Sequence, residues 1–278
     1  MPSVLVTGAA RGIGRATALR LAAAGWDVTA GVRREADAEA LRAADGRIAP
    51  LLHDVTDAER LAALPAALPE RLDGVVNNAG IAVSGPVEAL PLDEVRRQME
   101  VNVVGQIAVT QAVLPKLRES RGRVVFVSSV SGRVATPMTG PYNASKFALE
   151  GLADSLRMEV RPWGIRVILV EPAQTDTDMW GTADDVLEET VAGLSPAHRS
   201  LYAKHVNGMK RVIKVSQKMA VPTDDVAATI ERALTADRPR ARYVVGVGPR
   251  VQAALSKVTP TPVMDAVLRL ATGTPRRP

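Results

Sequence analysis

Apolar residues fall along this chain in short continuous Val/Ile/Leu runs, separated by longer Ala/Leu/Arg stretches. The runs predict strands at Ser3–Thr7, Asp27–Gly31, Arg47–Leu52, Gly74–Asn77, Arg123–Ser128, Arg166–Val170 and Tyr243–Val247. Most are apolar throughout rather than alternating, which is how a parallel strand buried on both faces reads. The stretches between them predict helices near 12–24, 35–44, 57–69, 91–117, 143–161 and 223–236. Pro65 and Pro69 make the third of these short or irregular. Regular β/α alternation predicts an α/β fold: a doubly wound, seven-stranded parallel sheet with helices on both faces, in a single domain over 1–278. Two segments break the rhythm. Residues 173–222 offer no strand, and 248–278 form a C-terminal extension with Pro249, Pro260, Pro262 and Pro275.

Composition narrows the function classes. A 46% hydrophobic share over 278 residues suits a packed core and is too high for a disordered chain. With no cysteine, disulfides, thiolate zinc sites and cysteine nucleophiles are excluded. His53, His198 and His205 are too scattered to suggest a metal site, so no metal is expected. The pI near 9.8 raises the question of nucleic acid. Aromatics make up only 3% of the chain and do not interleave with arginine, so a solvated basic surface is expected and no nucleic-acid partner. No run approaches the ~20 apolar residues of a membrane span. Met1-Pro2-Ser3 leads straight into Val4-Leu5-Val6, so the expected localisation is cytoplasmic, with no integral membrane segment.

The first strand ends in Thr7-Gly8-Ala9-Ala10-Arg11-Gly12-Ile13-Gly14. Gly8 lets the chain turn, Gly12 lets a pyrophosphate approach backbone N–H groups, and Gly14 lets the helix pack on the sheet. The helix N-terminus then presents its positive end to phosphate. The spacing differs from G-x-G-x-x-G, and a purely structural βα turn is the plain alternative. With it, the sheet becomes a Rossmann-type sheet for a dinucleotide. The second strand ends in Val32-Arg33-Arg34, which cannot bind ribose hydroxyls through Val32 but can pair a 2′-phosphate, with Arg11 assisting. NADP(H) is therefore preferred, and Glu35 and Asp37 keep NAD(H) as the alternative.

Tyr142 and Lys146 stand at i and i+4 on one helix face. An ammonium beside a phenol favours the phenolate and suits the pair to acid–base work. Ser128-Ser129 ends a buried strand, where α/β sheets open their ligand crevice. An exposed Tyr/Lys helix pair is the plain alternative.

Together these segments resemble the short-chain dehydrogenase/reductase superfamily, in its compact NAD(P)-dependent type. The resemblance rests on Thr7-Gly8-x3-Gly12-Ile13-Gly14, on Asn77-Asn78-Ala79-Gly80 and on Asn102, Ser129, Tyr142 and Lys146 in order and at family spacing, over residues 3–177. It implies hydride transfer between nicotinamide and a carbonyl or alcohol carbon, with Tyr142 as general acid/base. Ser129 is implied to hold the substrate oxygen, and Lys146 to lower the Tyr142 pKa and bind the nicotinamide ribose. Asn102 is implied to hold a relay water at a helix irregularity, linking Lys146 to solvent. For the cofactor it implies Gly8, Arg11, Gly12, Ile13, Gly14, Arg33, Arg34, Asp54, Val55, Asn78, Ala79, Gly80, Tyr142, Lys146, Pro172, Thr175 and Thr177. Where the family usually has Pro-Gly, this chain has Pro172-Ala173, a change that fails only if the backbone there needs positive φ. Leu72–Ile81, Tyr142–Glu150 and Arg242-Tyr243-Val244-Val245-Gly246 resemble retinol and 17β-hydroxysteroid dehydrogenases.

The resemblance makes 173–222 the substrate lid. Met179 and Trp180 join Ser129 and Tyr142 as substrate-binding candidates, with Val186, Leu187, Val191 and Leu194 either lining the pocket or packing the lid. Asp176, Asp178, Asp184, Asp185, Glu188 and Glu189 precede Arg199, Lys204, Lys210, Arg211, Lys214 and Lys218, so the two halves either attract across a closing helix pair or face water. The expected partner is a small lipophilic substrate: a secondary alcohol, ketone or aldehyde. The alternatives are a 3-oxoacyl-thioester reductase, a non-catalytic nucleotide-binding regulator, and a nucleic-acid or membrane-surface binder. The resemblance implies a homodimer or homotetramer through helices 91–117 and 143–161. Val263, Val267 and Leu270 suggest packing or subunit contact by the tail.

Overall fold

The computed structural model describes residues 1–175, 183–246, 255 and 258–275, without the side chains of 183–186 and 218. Seven strands, β1 (Ser3–Val6), β2 (Asp27–Val32), β3 (Ile48–Leu52), β4 (Gly74–Asn77), β5 (Arg123–Val127), β6 (Arg166–Pro172) and β7 (Arg242–Val245), form one sheet in the order β3-β2-β1-β4-β5-β6-β7. Every neighbouring pair is parallel.

The continuous apolar runs have a simple cause. Successive strand side chains point to opposite faces, and both faces here carry a core. Val4, Val6, Val76, Val125 and Ile168 join one apolar cluster with Leu21, Leu41 and Ile230. Those residues come from α1 (Gly12–Ala23), α2 (Glu35–Ala44) and a later helix, Thr223–Thr235. Leu5, Val75, Val124, Phe126 and Leu169 join the opposite cluster, with Leu64, Val109, Val113, Leu117 and Leu149. These come from α3 (Ala58–Ala67), α5 (Gly105–Ser120) and α6 (Gly140–Glu159). Asp57 caps α3 by accepting from the Glu59 and Arg60 amides.

Most boundaries shift by a residue or a few, and two departures from expectation shape the site. β6 runs on to Pro172, because Glu171 and Pro172 still pair with Val244 and Val245. The helix expected over 91–117 is broken: α4 (Leu92–Met99) passes through a π-helical turn, Glu100–Val104, into α5. Residues 173–222 contain α7 (Ala183–Gly193) and α8 (Pro196–Lys218), followed by α9 (Thr223–Thr235). The chain leaves and re-enters the body at one point, since Thr175 bridges to Val221 and the Val221 amide donates to Gln174 O.

In the tail, α10 (Thr261–Thr272) packs against α8 so closely that a Cβ on Gly208 would lie 2.1 Å from Thr272 O. Val263, Val267 and Leu270 are nonetheless exposed at 51%, 55% and 75%, so packing within the chain does not account for their apolar spacing. Among the described residues no helix is long and apolar enough to cross a membrane.

Candidate active site

Strand order reverses between β1 and β4, the place where α/β sheets open a ligand crevice beyond their C-terminal ends. The glycine loop leaves β1 there. Gly8 and Gly12 have φ of +64° and +54°, and Arg11 enters α1 in extended conformation. A Cβ on Gly14 would lie 2.2 Å from Gly8 O, so only glycine lets α1 start this close to the turn. No side chain caps α1 and its first turn has no acid, so its N–H groups stay available to an anion. This cradle fits a dinucleotide diphosphate.

Asn78, Ala79 and Gly80 line the opposite wall. Asn78 Nδ2 donates to Thr7 O at 3.0 Å and Gly8 O at 3.1 Å. Thr7 Oγ1 accepts from the amides of Asn78 and Ala79 at 3.0 and 3.1 Å. The Asn78-Ala79-Gly80 stretch is thereby tied to the glycine loop without being a strand.

A second set of bonds holds that stretch from the other side. Gln98, Asn102, Gln106 and Thr110 recur every four residues through the π turn into α5, and all are buried. Gln98 Oε1 accepts from Val83 N at 2.7 Å and its Nε2 donates to Ile81 O at 2.8 Å. Asn102 accepts from Ile81 N at 2.8 Å and donates to Ile81 O and Ser145 Oγ. Gln106 Nε2 donates to Ala79 O at 2.8 Å, and Thr110 accepts from Asn77 Nδ2 at 2.8 Å. These buried amides replace the neighbouring strand that residues 79–83 lack. Sequence reading singles out Asn102 alone; the signal for the others is polar residues recurring at helical spacing in an apolar stretch.

Beyond the end of β2, Arg11, Arg33 and Arg34 surround Asp37. Arg34 grips it with two bonds, at 2.8 and 2.9 Å, and this bond followed by opposing burial and the three arginine charges leaves the Asp37 carboxyl below its usual range. Arg34 is thus already engaged, while Arg33 and Arg11 are exposed beside it. Burial works to raise the Asp54 carboxyl, but Thr56 amide and hydroxyl bonds and the Arg33 charge more than reverse it. Val55 packs on the start of α5, where a Cβ on Gly105 would lie 2.8 Å from Val55 O.

On the other side of the crevice stands α6, which carries Tyr142 and Lys146. Tyr142 is 8% exposed and Lys146 5%. Lys146 Nζ donates to Val127 O at 2.8 Å and lies 5.7 Å from the Tyr142 ring centroid. Ser129, in extended conformation after β5, caps the short turn Val130–Gly132 by accepting from Ser131 N at 3.1 Å. Burial pulls the Lys146 pKa down to about 8, against the opposing charge of Glu150. Burial pushes the Tyr142 phenol up, opposed by a hydrogen bond with Ser129. The lowering expected from Lys146 is therefore not the net effect in this state: removal from water outweighs it.

Pro172 ends β6 within reach of Ser129, whose Oγ lies 3.4 Å from Pro172 O. Ala173 has no positive φ, so its Cβ brings no backbone strain. Thr175 is buried and donates to Ala173 O at 3.0 Å. Thr177, Met179 and Trp180 lie outside the described residues, as does the side chain of Val186. Leu187 packs with Met138, Val206, Met209 and Ile213, with Val191 against them, and Leu194 is buried. Of the opposed charges expected between the halves, Lys210 and Glu188 meet at 2.7 Å. Among the described residues no group of His, Asp and Glu is arranged to hold a metal.

Residues 2–187 match the family model of the short chain dehydrogenases. The chain belongs to the short-chain dehydrogenase/reductase family. It is 32% identical over 281 residues to the NADPH-dependent 3-dehydrocapnine reductase of Ornithobacterium rhinotracheale, covering 96% of each chain. It is 35% identical over 279 residues to retinol dehydrogenase 5 of Mus musculus, covering 95% of this chain and 87% of the relative. Among solved structures, a short-chain dehydrogenase from Streptomyces avermitilis superposes with a TM-score of 0.78 at 31% identity, covering 99% of this chain and 98% of that one. One from Burkholderia cenocepacia, in complex with NADP, gives 0.75 at 25% identity, covering 96% and 97%. This short-chain dehydrogenase is therefore an NAD(P)-dependent oxidoreductase acting on CH–OH groups, with the Rossmann-type sheet expected from its sequence.

Proposed function

We propose that this dehydrogenase prefers NADP(H) and interconverts a lipophilic secondary alcohol and its ketone, or an alcohol and its aldehyde. The observation that carries the reading is the buried Tyr142–Lys146 pair beside Ser129, at the crevice end of the sheet. When bound, the nicotinamide supplies the hydride donor or acceptor. In reduction, Tyr142 Oη gives its proton to the carbonyl oxygen while the Ser129 hydroxyl donates a hydrogen bond to the same atom. Lys146 holds a positive charge beside the forming phenolate and binds the nicotinamide ribose. Asn102 has its side chain committed to Ile81 and Ser145, so it fixes the wall, and a relay water would be held by main-chain carbonyls of its π turn.

Gly8, Gly12, Ile13 and Gly14 cradle the diphosphate, with Asn78, Ala79 and Gly80 as the facing wall. Asp54 and Val55 border the adenine, and Pro172, Thr175 and Thr177 hold the nicotinamide end. Arg33 and Arg11 take the 2′-phosphate, and Arg34, held by Asp37, shapes their pocket. The relative named as NADPH-dependent and the solved relative with NADP lend this preference support. The whole chain acts as one domain, with 173–222 as its lid and Met179 and Trp180 among its substrate-binding residues. Val104, Phe147, Leu152 and Met158 leave α6 and the entry to α5 apolar and exposed, which suits pairing into a dimer or tetramer.

The test is titration of the purified protein with NADPH and NADH separately, read by quenching of Trp fluorescence. Tighter NADPH binding is expected, weakened about 10- to 100-fold in Arg33→Ala with NADH binding unchanged, as for loss of a charged hydrogen bond. Preference for NADH would overturn the phosphate assignment. A ketone, aldehyde and acetoacetyl-thioester panel with NADPH then sets the substrate class, and turnover confined to thioesters would replace it with an acyl-thioester reductase.

A further inference from the structure

Behind Tyr142 and Lys146 lies a group of buried and half-buried charges that the reaction just described does not use. Tyr142, Lys146 and Glu150 follow one another at four-residue steps on the buried face of α6. Glu150 accepts from Arg242 Nε of β7 at 2.9 Å, and the other arm of Arg242 reaches Asp154 at 2.6 Å. Arg242 Nε also lies 3.5 Å from Glu171, a fully buried carboxylate at the end of β6. Glu171 in turn is gripped by both arms of Arg133, from the loop after Ser129. Arg157, one turn further along α6, pairs with Asp154 at 2.7 Å. These charges join the loop that carries Ser129, the helix that carries Tyr142 and the strand that leads to Pro172.

Glu150 Oε1 is buried with the Ser128 hydroxyl beside it, the two short of full hydrogen-bond geometry. The turn after β5 closes over it: a Cβ on Gly132 would lie 2.9 Å from Glu150 Cγ and 3.0 Å from Lys146 O. In a space closed to water, a charge four residues away along a helix acts with little screening.

We propose that Glu150 is a positioning residue for Lys146: its carboxylate is the counter-charge that keeps the buried ammonium protonated, and Arg242 keeps that carboxylate ionised. The proposal rests on the reading of Tyr142 and Lys146 as the reacting pair. An ammonium buried against the Val127 carbonyl alone would shed its proton to escape the cost of burial. Burial and the Glu171 charge push the Glu150 carboxyl up, and hydrogen bonding from Ser128 and then the bond and charge of Arg242 oppose them. Burial takes Lys146 down to about 8, and the Glu150 charge works against that fall.

The test is an NMR titration of the full-length, cofactor-free protein carrying 13C at lysine Cε, with the Lys146 signal identified by its absence in Lys146→Arg. Lys146 is expected to titrate near 8 in the wild type and at about 7 or below in Glu150→Gln. Glu150→Asp, which keeps the charge, is expected to shift it less than half as far. An unchanged value in Glu150→Gln, or an equal fall in both variants, would overturn the proposal. A second measurement needs no change at Glu150. In the wild type its 13Cδ signal is expected to inflect at the Lys146 titration and to lose that inflection in Lys146→Met; no inflection counts against the coupling. On a ketone that the wild type reduces, the alkaline limb of kcat/KM is expected to move to lower pH in Glu150→Gln. Failure of the wild type to bind NADPH would sink the functional reading, whereas the titration reads the free protein and is decided separately.

Discussion

Gln98, Asn102 and Gln106 are fully buried in the crevice and each is bonded to the main chain of residues 79–83. In the α7–α8 pair, by contrast, most charged side chains face water, and its interior is the small apolar cluster of Met138, Leu187, Val206, Met209 and Ile213. The crevice wall is fixed by directional bonds, in which each donor has one place to be. The helical pair is fixed by contact area, which many side chains of similar volume can supply. A wall that must hold a cofactor to within a fraction of an ångström needs the first kind of construction. A surface that needs only to cover a substrate can use the second.

The largest effect expected in either region is chemical. Tyr142→Phe removes the hydroxyl proposed to give or take the proton and leaves the ring in its buried place. Turnover is expected to fall about 10²- to 10⁴-fold, with NADPH affinity changed little, measured as steady-state kcat/KM beside a fluorescence titration. Retained turnover would place the acid elsewhere and end the contrast at its most important point.

Next come two substitutions that probe the two constructions directly. Leu187→Ala empties a wholly buried site in the helical pair. It is expected to cost about 2–5 kcal/mol if the pair unfolds together with the body. If the pair opens by itself, hydrogen exchange will speed up in α7 and α8 alone while the main melting transition stays in place. Gln98→Leu keeps the apolar volume but strands the Val83 amide, because Ile81 O retains its bond from Asn102. The expected cost is about 1–3 kcal/mol in chemical denaturation, with NADPH binding weakened as the 79–83 wall loosens. An unchanged NADPH affinity would show that the wall does not need the amide ladder.

The same contrast governs what could be read before the structure. The strands were legible because burial on both faces leaves an unbroken apolar run, as in Val124-Val125-Phe126-Val127. The glycine loop and the Tyr142/Lys146 pair were legible because each needs particular residues at fixed local spacing. The amide ladder was obscured because Gln98 and Gln106 serve main-chain groups in a different segment, and nothing in the helix itself names that partner. The Arg133–Glu171–Arg242 charges were hidden for the same reason, their partners being brought together only by strand order. The π turn was legible only through the resemblance, which implies a helix irregularity at Asn102, since Glu100–Val104 contains neither Pro nor Gly to mark a break. The fold of 173–222 was the least legible part, because packing by area places weak demands on sequence.

The smallest effect is expected where the helical pair looks most specific. Lys210 and Glu188 meet at 2.7 Å across α7 and α8, and they belong to the opposed charge runs that stand out in the sequence. Glu188 is nonetheless exposed, and the Lys210 bond holds its carboxyl below the usual range in a setting open to water and salt. Such a pair gives up side-chain freedom for an attraction that solvent screens. Glu188→Gln is therefore expected to leave the melting temperature unchanged, at low salt and at high salt alike, while Leu187→Ala beside it lowers stability measurably. If instead Glu188→Gln destabilises the protein at low salt and the effect vanishes at high salt, the two charge runs act as a cooperative field. The pair would then be held electrostatically, and the closure over substrate proposed for it would depend on ionic strength.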